Sequence, residues 1–280
     1  MPSRFTINDL RTAAAGGKRS AMLTCYDYTT ARQLDGVGVD MLLVGDSAAS
    51  VMLGHDTTLP VSLDYMIAIT AAVRRGAARA MVMGDMPFGS YHASLPQGVR
   101  NVCRMLKESN CDLVKIEAGP DHVRLIGKLA DAGVGVVPHL GLRPQAVSLL
   151  GGYRAQGRTA VEANRLVDLA VAAARAGAVA LLLEAVPPEV SQRVVERVGV
   201  PVIGCGAGPA CHGHVVVLQD LLRQTPFQPR FVPTVTNGSL IEMAGQYVSQ
   251  VRSGAYPLKA HCYDMPEEQR ILFAAPGTLV

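Results

Sequence analysis

The chain lacks the features that mark several other classes of protein. It contains no uninterrupted run of about 18 apolar residues, the length that a membrane-spanning helix needs. The opening stretch, MPSRFTINDL, has no apolar core of the signal-peptide kind, so we expect a cytoplasmic protein. Lysine and arginine outnumber aspartate and glutamate by only 26 to 23, too small an excess to indicate a nucleic-acid partner. We therefore expect neither a membrane nor a nucleic acid among its partners.

The cysteines lack a recognisable pattern as well. There are six, none forms a CxxC pair, and most lie in apolar surroundings, which indicates reduced and buried thiols. A zinc site stays open as an alternative where two cysteines and two histidines crowd together, at Cys205, Cys211, His212 and His214. Their spacing matches no common zinc motif, so this alternative is the weaker one.

What is present indicates a large hydrophobic core. Hydrophobic residues make up 49% of the 280 residues and charged residues only 18%. Apolar runs alternate with helical patterns about eight times, and continuous apolar runs are typical of parallel strands buried on both faces. We predict a single (β/α)8 barrel over residues 1–280, with a lead-in at about 1–20 and a tail at about 262–280. A doubly wound open sheet is the alternative, although it would gather ligand groups at one switch point.

Polar side chains recur at or near the C-terminal ends of five apolar runs. They are Asp46 with Ser47, then Asp85, then Lys115 with Glu117, then His139, and finally Glu184. Lys115 and Glu117 are two residues apart, so their side chains share one face of their strand. A helix cap would explain Asp46 or Ser47 alone, but not the repetition. Because barrel enzymes carry their sites at the C-terminal ends of the strands, we predict one shared site there.

These residue types indicate a particular chemistry. Asp46, Asp85 and Glu117 are hard oxygen ligands from neighbouring strands, which suits Mg²⁺ better than zinc. Lys115 suits a substrate carboxylate or a developing enolate oxygen, with a structural ion pair to Glu117 as the alternative. Glu184 follows three leucines, where desolvation raises a carboxyl pKa and favours a general base. Together they predict removal of a proton next to a carbonyl group.

The regular alternation breaks after His139. Residues 141–157 are too rich in glycine, proline and polar residues for one regular element, and we predict a lid there. Thr159 and Glu162 form a capping box that begins the next helix. Elsewhere, Thr29 or Thr30 is predicted to cap the helix that follows the first strand, and the eighth strand is predicted at residues 215–218.

Several longer motifs carry a family resemblance. They are TCYDY from Thr24, LLVGDS from Leu42, GHDTTLP from Gly54, DMPF from Asp85, VKIE from Val114, HLGLRPQ from His139, GGYRAQGR from Gly151 and LLLE from Leu181. In this order they resemble the 3-methyl-2-oxobutanoate hydroxymethyltransferase (ketopantoate hydroxymethyltransferase) family. That family shares its barrel with the isocitrate lyase and phosphoenolpyruvate mutase superfamily.

The resemblance implies transfer of a hydroxymethyl group from 5,10-methylenetetrahydrofolate to 3-methyl-2-oxobutanoate, giving 2-dehydropantoate for pantothenate synthesis through a metal-stabilised enolate. It implies one Mg²⁺ per subunit, with Asp46 and Asp85 as ligands and Glu117 acting through water. Glu184 corresponds to the base, and His139 to a polar group near the new hydroxymethyl. The implied substrate contacts are Asp46, Ser47, Asp85, Lys115 and His139. The partners implied are a 2-oxo acid, a folate and further copies of the chain, in a homo-oligomer that is often decameric.

The chain departs from the family pattern in three segments. They lie at residues 48–50, 211–219 and 231–233. These departures leave open a paralogue that acts on another 2-oxo acid or another electrophile. A non-catalytic oligomeric scaffold is a further alternative, against which the intact acids at the strand ends argue.

Overall fold

The strands close into a barrel in the computed structural model, which describes residues 3–274. Each strand pairs in parallel with the next along the chain, and the eighth pairs with the first. The predicted barrel is therefore confirmed, and residues 275–280 of the predicted tail lie outside the described residues. The strands are β1 (Ser20–Thr24), β2 (Met41–Val44), β3 (Met81–Asp85), β4 (Leu113–Glu117), β5 (Val136–Gly141), β6 (Leu181–Glu184), β7 (Val202–Cys205) and β8 (Gly213–Val216).

Helices surround the barrel and occupy several of its loops. In the described part of the chain, no helix is long and apolar enough to cross a membrane. The helices are α1 (Ile7–Ala15), α2 (Tyr28–Val37), α3 (Ala48–Val51), α4 (Leu63–Gly76), α5 (Leu95–Ser109), α6 (Val123–Asp131), α7 (Val147–Leu150), α8 (Ala160–Arg175), α9 (Pro188–Arg197), α10 (Leu218–Leu221), α11 (Leu240–Ser253) and α12 (Glu267–Ala274).

The predicted helix starts are partly right. The capping box at Thr159 and Glu162 is present at the start of α8, with the two residues satisfying each other's backbone N–H groups. The cap of α2 was predicted wrongly, because Asp27 occupies it and accepts a hydrogen bond from the backbone N–H of Thr30 at 2.9 Å. A carboxylate in this position also interacts favourably with the positive end of the helix.

Two other elements differ from the sequence pattern. Strand β8 covers Gly213–Val216, two residues earlier than predicted, and a Cβ at Gly213 would lie only 2.6 Å from the carbonyl oxygen of Ser20. Helix α12 lies inside the segment assigned to the tail. Its Phe273 is buried beneath the guanidinium of Arg193, 3.8 Å from the ring centroid. The sequence pattern missed α12 because the helix is short and its packing depends on this long-range contact, which produces no hydrophobic periodicity.

The N-terminal face of the barrel also carries a partly buried carboxylate, Asp112, whose hydrogen bonds and ion pairs stabilise the fold. One oxygen of Asp112 accepts hydrogen bonds from the backbone N–H of Val82 at 2.8 Å and from the buried guanidinium of Arg74 at 3.0 Å. The other oxygen accepts from Arg4 at 3.1 Å. Asp112 thus ties β3 to α4 and compensates a buried cation, at the end of the barrel opposite to the predicted site.

We expect Asp112→Ala to lower the free energy of unfolding by about 3 kcal/mol, because it leaves Arg74 buried without its carboxylate. Denaturant unfolding followed by circular dichroism measures this. Asp64→Ala is the control, since Asp64 pairs with Arg104 while 79% exposed and should cost well under 1 kcal/mol. Equal losses in the two variants would contradict a structural role for the Asp112 cluster.

Candidate active site

The structure brings all the predicted site residues to the C-terminal ends of five consecutive strands. Pairing between strands places Asp85 beside Lys115 and Glu117 beside His139. Most of these side chains are buried, whereas that of Glu184 remains 18% exposed. Because β2 and β6 lie opposite each other in an eight-stranded barrel, Glu184 and Asp46 follow strands on opposite sides of the mouth.

Lys115 is held among carboxylates. Its Nζ lies 2.5 Å from Oδ2 of Asp85, and the same oxygen accepts the backbone N–H of Asp46 at 3.1 Å. Burial lowers the pKa of Lys115, but the charges of Asp85, Asp46 and Glu117 outweigh burial and raise it overall. Lys115 is therefore a fixed cation. Its ion-pair partner is Asp85, so the alternative of a structural pair with Glu117 is wrong.

The helix-cap alternative for Asp46 and Ser47 also fails. Ser47 stands at the N-cap position of α3, yet its side chain makes no capping hydrogen bond. Its Oγ lies 2.8 Å from the hydroxyl of Tyr26, at the end of β1. Oδ2 of Asp46 accepts a hydrogen bond from Nε2 of Gln145 at 2.9 Å. Both side chains are turned into the barrel mouth.

Glu117 is fixed by two residues that were not among the predicted site residues, although the motif HLGLRPQ from His139, one of those that carry the family resemblance, ends in Gln145. Its Oε2 accepts the backbone N–H of Gln145 at 3.0 Å. The hydroxyl of Tyr91 accepts the backbone N–H of Glu117 at 3.1 Å and donates to Oε1 of Gln145 at 2.8 Å. Gln145 lies within the predicted lid, and Tyr91 lies beyond the DMPF motif. Neither residue directly follows an apolar run, which was the signal that identified the other site residues.

The three predicted metal ligands share one arrangement of oxygens. Each has one carboxylate oxygen hydrogen-bonded to protein: Oδ2 of Asp46, Oδ2 of Asp85 and Oε2 of Glu117. Within residues 3–274, nothing donates to the buried Oδ1 of Asp85 or to the buried Oε1 of Glu117. Burying such an oxygen without a partner is costly, and a hard divalent cation would satisfy both. The residues present therefore fit Mg²⁺.

The carboxylates do not form a closed metal cage. In the described part of the chain, no group of three or more histidine, cysteine, aspartate or glutamate side chains is arranged to hold an ion. This counts against a closed structural zinc site at the carboxylates. It also counts against zinc at the Cys205 cluster, where Nδ1 of His212 instead accepts the backbone N–H of Val202 at 3.0 Å.

His139 and Glu184 form the other half of the site. Nε2 of His139 lies 3.2 Å from Oε2 of Glu184, and its Nδ1 lies 3.8 Å from Oε1 of Glu117. Burial and the nearby Lys115 hold the pKa of His139 well below its usual value, so the imidazole is neutral. Burial raises the pKa of Glu184 to about 7. A carboxylate with this pKa can accept a proton near neutral pH.

The predicted lid is partly helical. It contains a 3-10 turn at Pro144–Ala146 and the short helix α7. Gln145 is buried within the turn, whereas Leu149 and Tyr153 further along the loop are exposed. The start of the loop is thus bound to the site, and its middle faces outward, as in a segment that closes over a ligand.

We expect this loop to gain order when substrate binds. Amide hydrogen exchange across residues 141–157 should slow on addition of 3-methyl-2-oxobutanoate with Mg²⁺, because closure excludes water from the amides. The exchange of α8, which follows the loop directly, is the internal control. Unchanged protection across the loop would contradict a lid.

Comparison with known sequences shows which family has this site. The sequence model described as ketopantoate hydroxymethyltransferase matches residues 4–259. The chain belongs to the ketopantoate hydroxymethyltransferase family. A 3-methyl-2-oxobutanoate hydroxymethyltransferase from Syntrophomonas wolfei is 41% identical over 95% of this chain and 98% of its own length. One from Alkalilimnicola ehrlichii is 45% identical over 92% of this chain and 94% of its own.

Solved structures show the same fold at low sequence identity. Phosphoenolpyruvate phosphomutase from Streptomyces platensis has a TM-score of 0.60 and 16% identity, over 78% of this chain and 83% of its own. 2,3-Dimethylmalate lyase, a PEP mutase/isocitrate lyase superfamily member, has a TM-score of 0.54 and 17% identity, over 75% and 80%. Phosphonopyruvate hydrolase in complex with oxalate and Mg²⁺ has a TM-score of 0.57 and 13% identity, over 76% and 80%.

The family assignment identifies the chain as an enzyme of the hydroxymethyltransferase type. It is consistent with a place in pantothenate biosynthesis. The structural neighbours confirm the predicted barrel fold. The motifs recognised in the sequence resemble the same family that the sequence comparisons show.

Proposed function

We propose that the protein is a Mg²⁺-dependent enzyme that transfers a hydroxymethyl group from 5,10-methylenetetrahydrofolate to 3-methyl-2-oxobutanoate. The observation that carries the proposal is that strand β6, which ends in Glu184 with a pKa of about 7, lies across the barrel from a cluster of three carboxylates. Two of them, Asp85 and Glu117, each keep one buried oxygen without a hydrogen-bond partner. A neighbour of the same fold binds oxalate, an analogue of a 2-oxo acid, together with Mg²⁺. That neighbour supports the choice of cation and of substrate class.

Asp46, Asp85 and Glu117 are the residues that would hold the cation. When bound, Mg²⁺ acts as a Lewis acid that makes the hydrogen next to the keto group of a 2-oxo acid more acidic. Among residues 3–274, the only ammonium paired with these carboxylates is that of Lys115. The donor set therefore keeps an excess of negative charge, which favours a divalent cation.

The side chains of the protein then divide the chemistry between them. Glu184 accepts the proton from the branched carbon, and the electrons of the broken C–H bond form the enolate. Lys115, which is buried, stabilises the negative charge that develops. The enolate carbon bonds to the methylene carbon of the donor, the two C–N bonds of that carbon break, and water supplies the hydroxyl group. The proton taken by Glu184 and one proton of the water go to the two nitrogens of the departing tetrahydrofolate. His139 is neutral, and its Nε2 lies 3.2 Å from Oε2 of Glu184, so it adds no charge beside that base.

Solvent-deuterium exchange at the branched carbon of 3-methyl-2-oxobutanoate tests this function. The exchange needs the base and the cation but no folate. We expect exchange with Mg²⁺ alone, and formation of 2-dehydropantoate once the folate is added. Exchange without transfer would identify a paralogue that uses another electrophile. No exchange would overturn the proposal and favour a non-catalytic scaffold.

The metal requirement gives a separate prediction. Asp85→Asn keeps the shape of the side chain and removes one ligand charge, so half-maximal activity should need at least about tenfold more Mg²⁺. Titration of activity with Mg²⁺ after chelation measures this shift. Full activity of the wild-type enzyme after exhaustive chelation would contradict metal dependence.

We also infer a homo-oligomer that works in the cytoplasm. Large apolar side chains are exposed on the single chain, among them Phe227, which is 75% exposed, together with Leu149, Ile271 and Leu272. Exposed apolar side chains of this size are typical of surfaces that a partner covers. Light scattering on the purified enzyme tests the inference, and a monomer at micromolar concentration would contradict it.

A further inference from the structure

Gln145 connects two of the carboxylates that come from different parts of the barrel. Its side-chain Nε2 donates to Oδ2 of Asp46 at 2.9 Å, and its backbone N–H donates to Oε2 of Glu117 at 3.0 Å. We propose that Gln145 is the positioning residue that sets which oxygens of Asp46 and Glu117 a divalent cation meets. This inference rests on the proposed function, because it takes these carboxylates as the metal site.

The orientation of the Gln145 amide is determined by its neighbours. Nε2 lies 2.9 Å from Oδ2 of Asp46 and 2.9 Å from the carbonyl oxygen of Met86, and both of these atoms only accept. Oε1 receives the hydroxyl of Tyr91 at 2.8 Å. A flipped amide would place an oxygen against two acceptors, so only one orientation satisfies the network.

The third carboxylate is oriented by a different group. Oδ2 of Asp85 is occupied by Lys115 and by the backbone N–H of Asp46. Lysine adds a positive charge to the site, whereas the amide of Gln145 adds none. Two of the three carboxylates are therefore oriented by a neutral donor that preserves the negative charge a divalent cation needs.

Gln145 also links the predicted lid to the barrel. Gln145 belongs to the 3-10 turn at Pro144–Ala146, at the start of the predicted lid. The same residue thus holds the lid to β2 and β4 through their carboxylates. Loss of its side chain should weaken cation binding while leaving the barrel strands, which pair independently of it, intact.

Binding of Mn²⁺ in place of Mg²⁺ tests the proposal without any turnover, since both ions prefer oxygen ligands. Free Mn²⁺ is measured by its electron paramagnetic resonance signal. Gln145→Met keeps the length of the side chain and removes its donor and acceptor. We expect its dissociation constant for Mn²⁺ to rise 10- to 100-fold, the usual effect of losing a partner that orients a metal ligand.

Gln156→Met is the matched control in the same loop. The Gln156 side chain donates to the carbonyl oxygen of Arg154 and touches no carboxylate of the site, so Mn²⁺ affinity should stay at the wild-type value. Tyr91→Phe is a second variant, for use if Gln145→Met does not fold. It removes the hydroxyl that donates to Oε1 of Gln145 and accepts the backbone N–H of Glu117, and we expect affinity to fall about three- to tenfold.

The outcomes distinguish failure of the positioning role of Gln145 from failure of the proposed function. Wild-type affinity in Gln145→Met, or in a folded Tyr91→Phe if the first variant fails, would overturn the positioning role and leave the proposed function standing. Equal losses in Gln145→Met and Gln156→Met would overturn it as well, since the effect would then come from the loop as a whole. Failure of the wild-type protein to bind Mn²⁺, with or without 2-oxo acid, would overturn the proposed function itself.

Discussion

Glu184→Gln should slow deuterium exchange into 3-methyl-2-oxobutanoate by about 10²-fold or more, the usual effect of losing a general base. The amide keeps the volume of the carboxyl group but cannot accept a proton. Glu184 is placed for this role at the end of β6, on the opposite side of the barrel mouth from β2, which Asp46 follows. The rate is measured by proton NMR in D₂O with saturating Mg²⁺ and no folate. Binding of the oxo acid should survive.

The pH dependence of exchange distinguishes a base from a structural glutamate. Only the ionised form accepts a proton, and burial raises the pKa of Glu184 to about 7. Exchange should therefore rise with pH through about 7 and fall about tenfold per unit well below it. In Glu184→Gln, the exchange rate should lose this rise with pH. If the variant exchanges at the wild-type rate with the wild-type profile, another residue is the base.

The same raised pKa has a consequence for stability. A buried carboxyl group with a raised pKa stabilises the fold while it is protonated, and this contribution is lost as pH rises through about 7. Glu184→Gln should then be at least as stable as wild type at pH 8. A structural glutamate would instead leave the variant less stable, with exchange per folded molecule nearly unchanged.

Lys115→Met should reduce exchange by about 10²- to 10³-fold, the range seen when a group that stabilises developing negative charge is removed. Lys115 is the cation that lies against Asp85 in the barrel mouth, at 2.5 Å. Methionine retains much of the apolar stem and removes the ammonium. Exchange is measured at saturating Mg²⁺ and over a range of oxo-acid concentrations, so that kcat and KM are separated.

Lys107→Met is the control for Lys115→Met, because Lys107 lies in the last turn of α5, away from the strand ends. It should exchange at the wild-type rate. Removal of a buried ion-pair partner also threatens the fold, so thermal unfolding of both variants accompanies the kinetics. Exchange per folded Lys115→Met molecule at the wild-type rate would limit Lys115 to a structural role.

Several features of this protein follow from sequence alone. The strands are buried on both faces, so they appear as continuous apolar runs, and the acids that follow the runs stand out against them. This is why Asp46, Asp85, Glu117 and Glu184 were identifiable without coordinates. The motifs around them also indicated the family, which the comparisons confirm over residues 4–259.

Only the tertiary structure decided which polar groups pair with one another. Lys115 shares a strand face with Glu117 but forms its ion pair with Asp85, because neighbouring strands in register bring Asp85 beside it. Gln145 and Tyr91 reach the site from loops, where no periodic pattern records the direction of a side chain. Helix α12 packs through the long-range contact of Phe273 with Arg193, and the cap at Asp27 depends on a hydrogen bond to Thr30; composition reveals neither. The burial of a strand follows from the apolar character of its successive residues. The pairing of side chains across the barrel mouth depends instead on closure of the whole barrel.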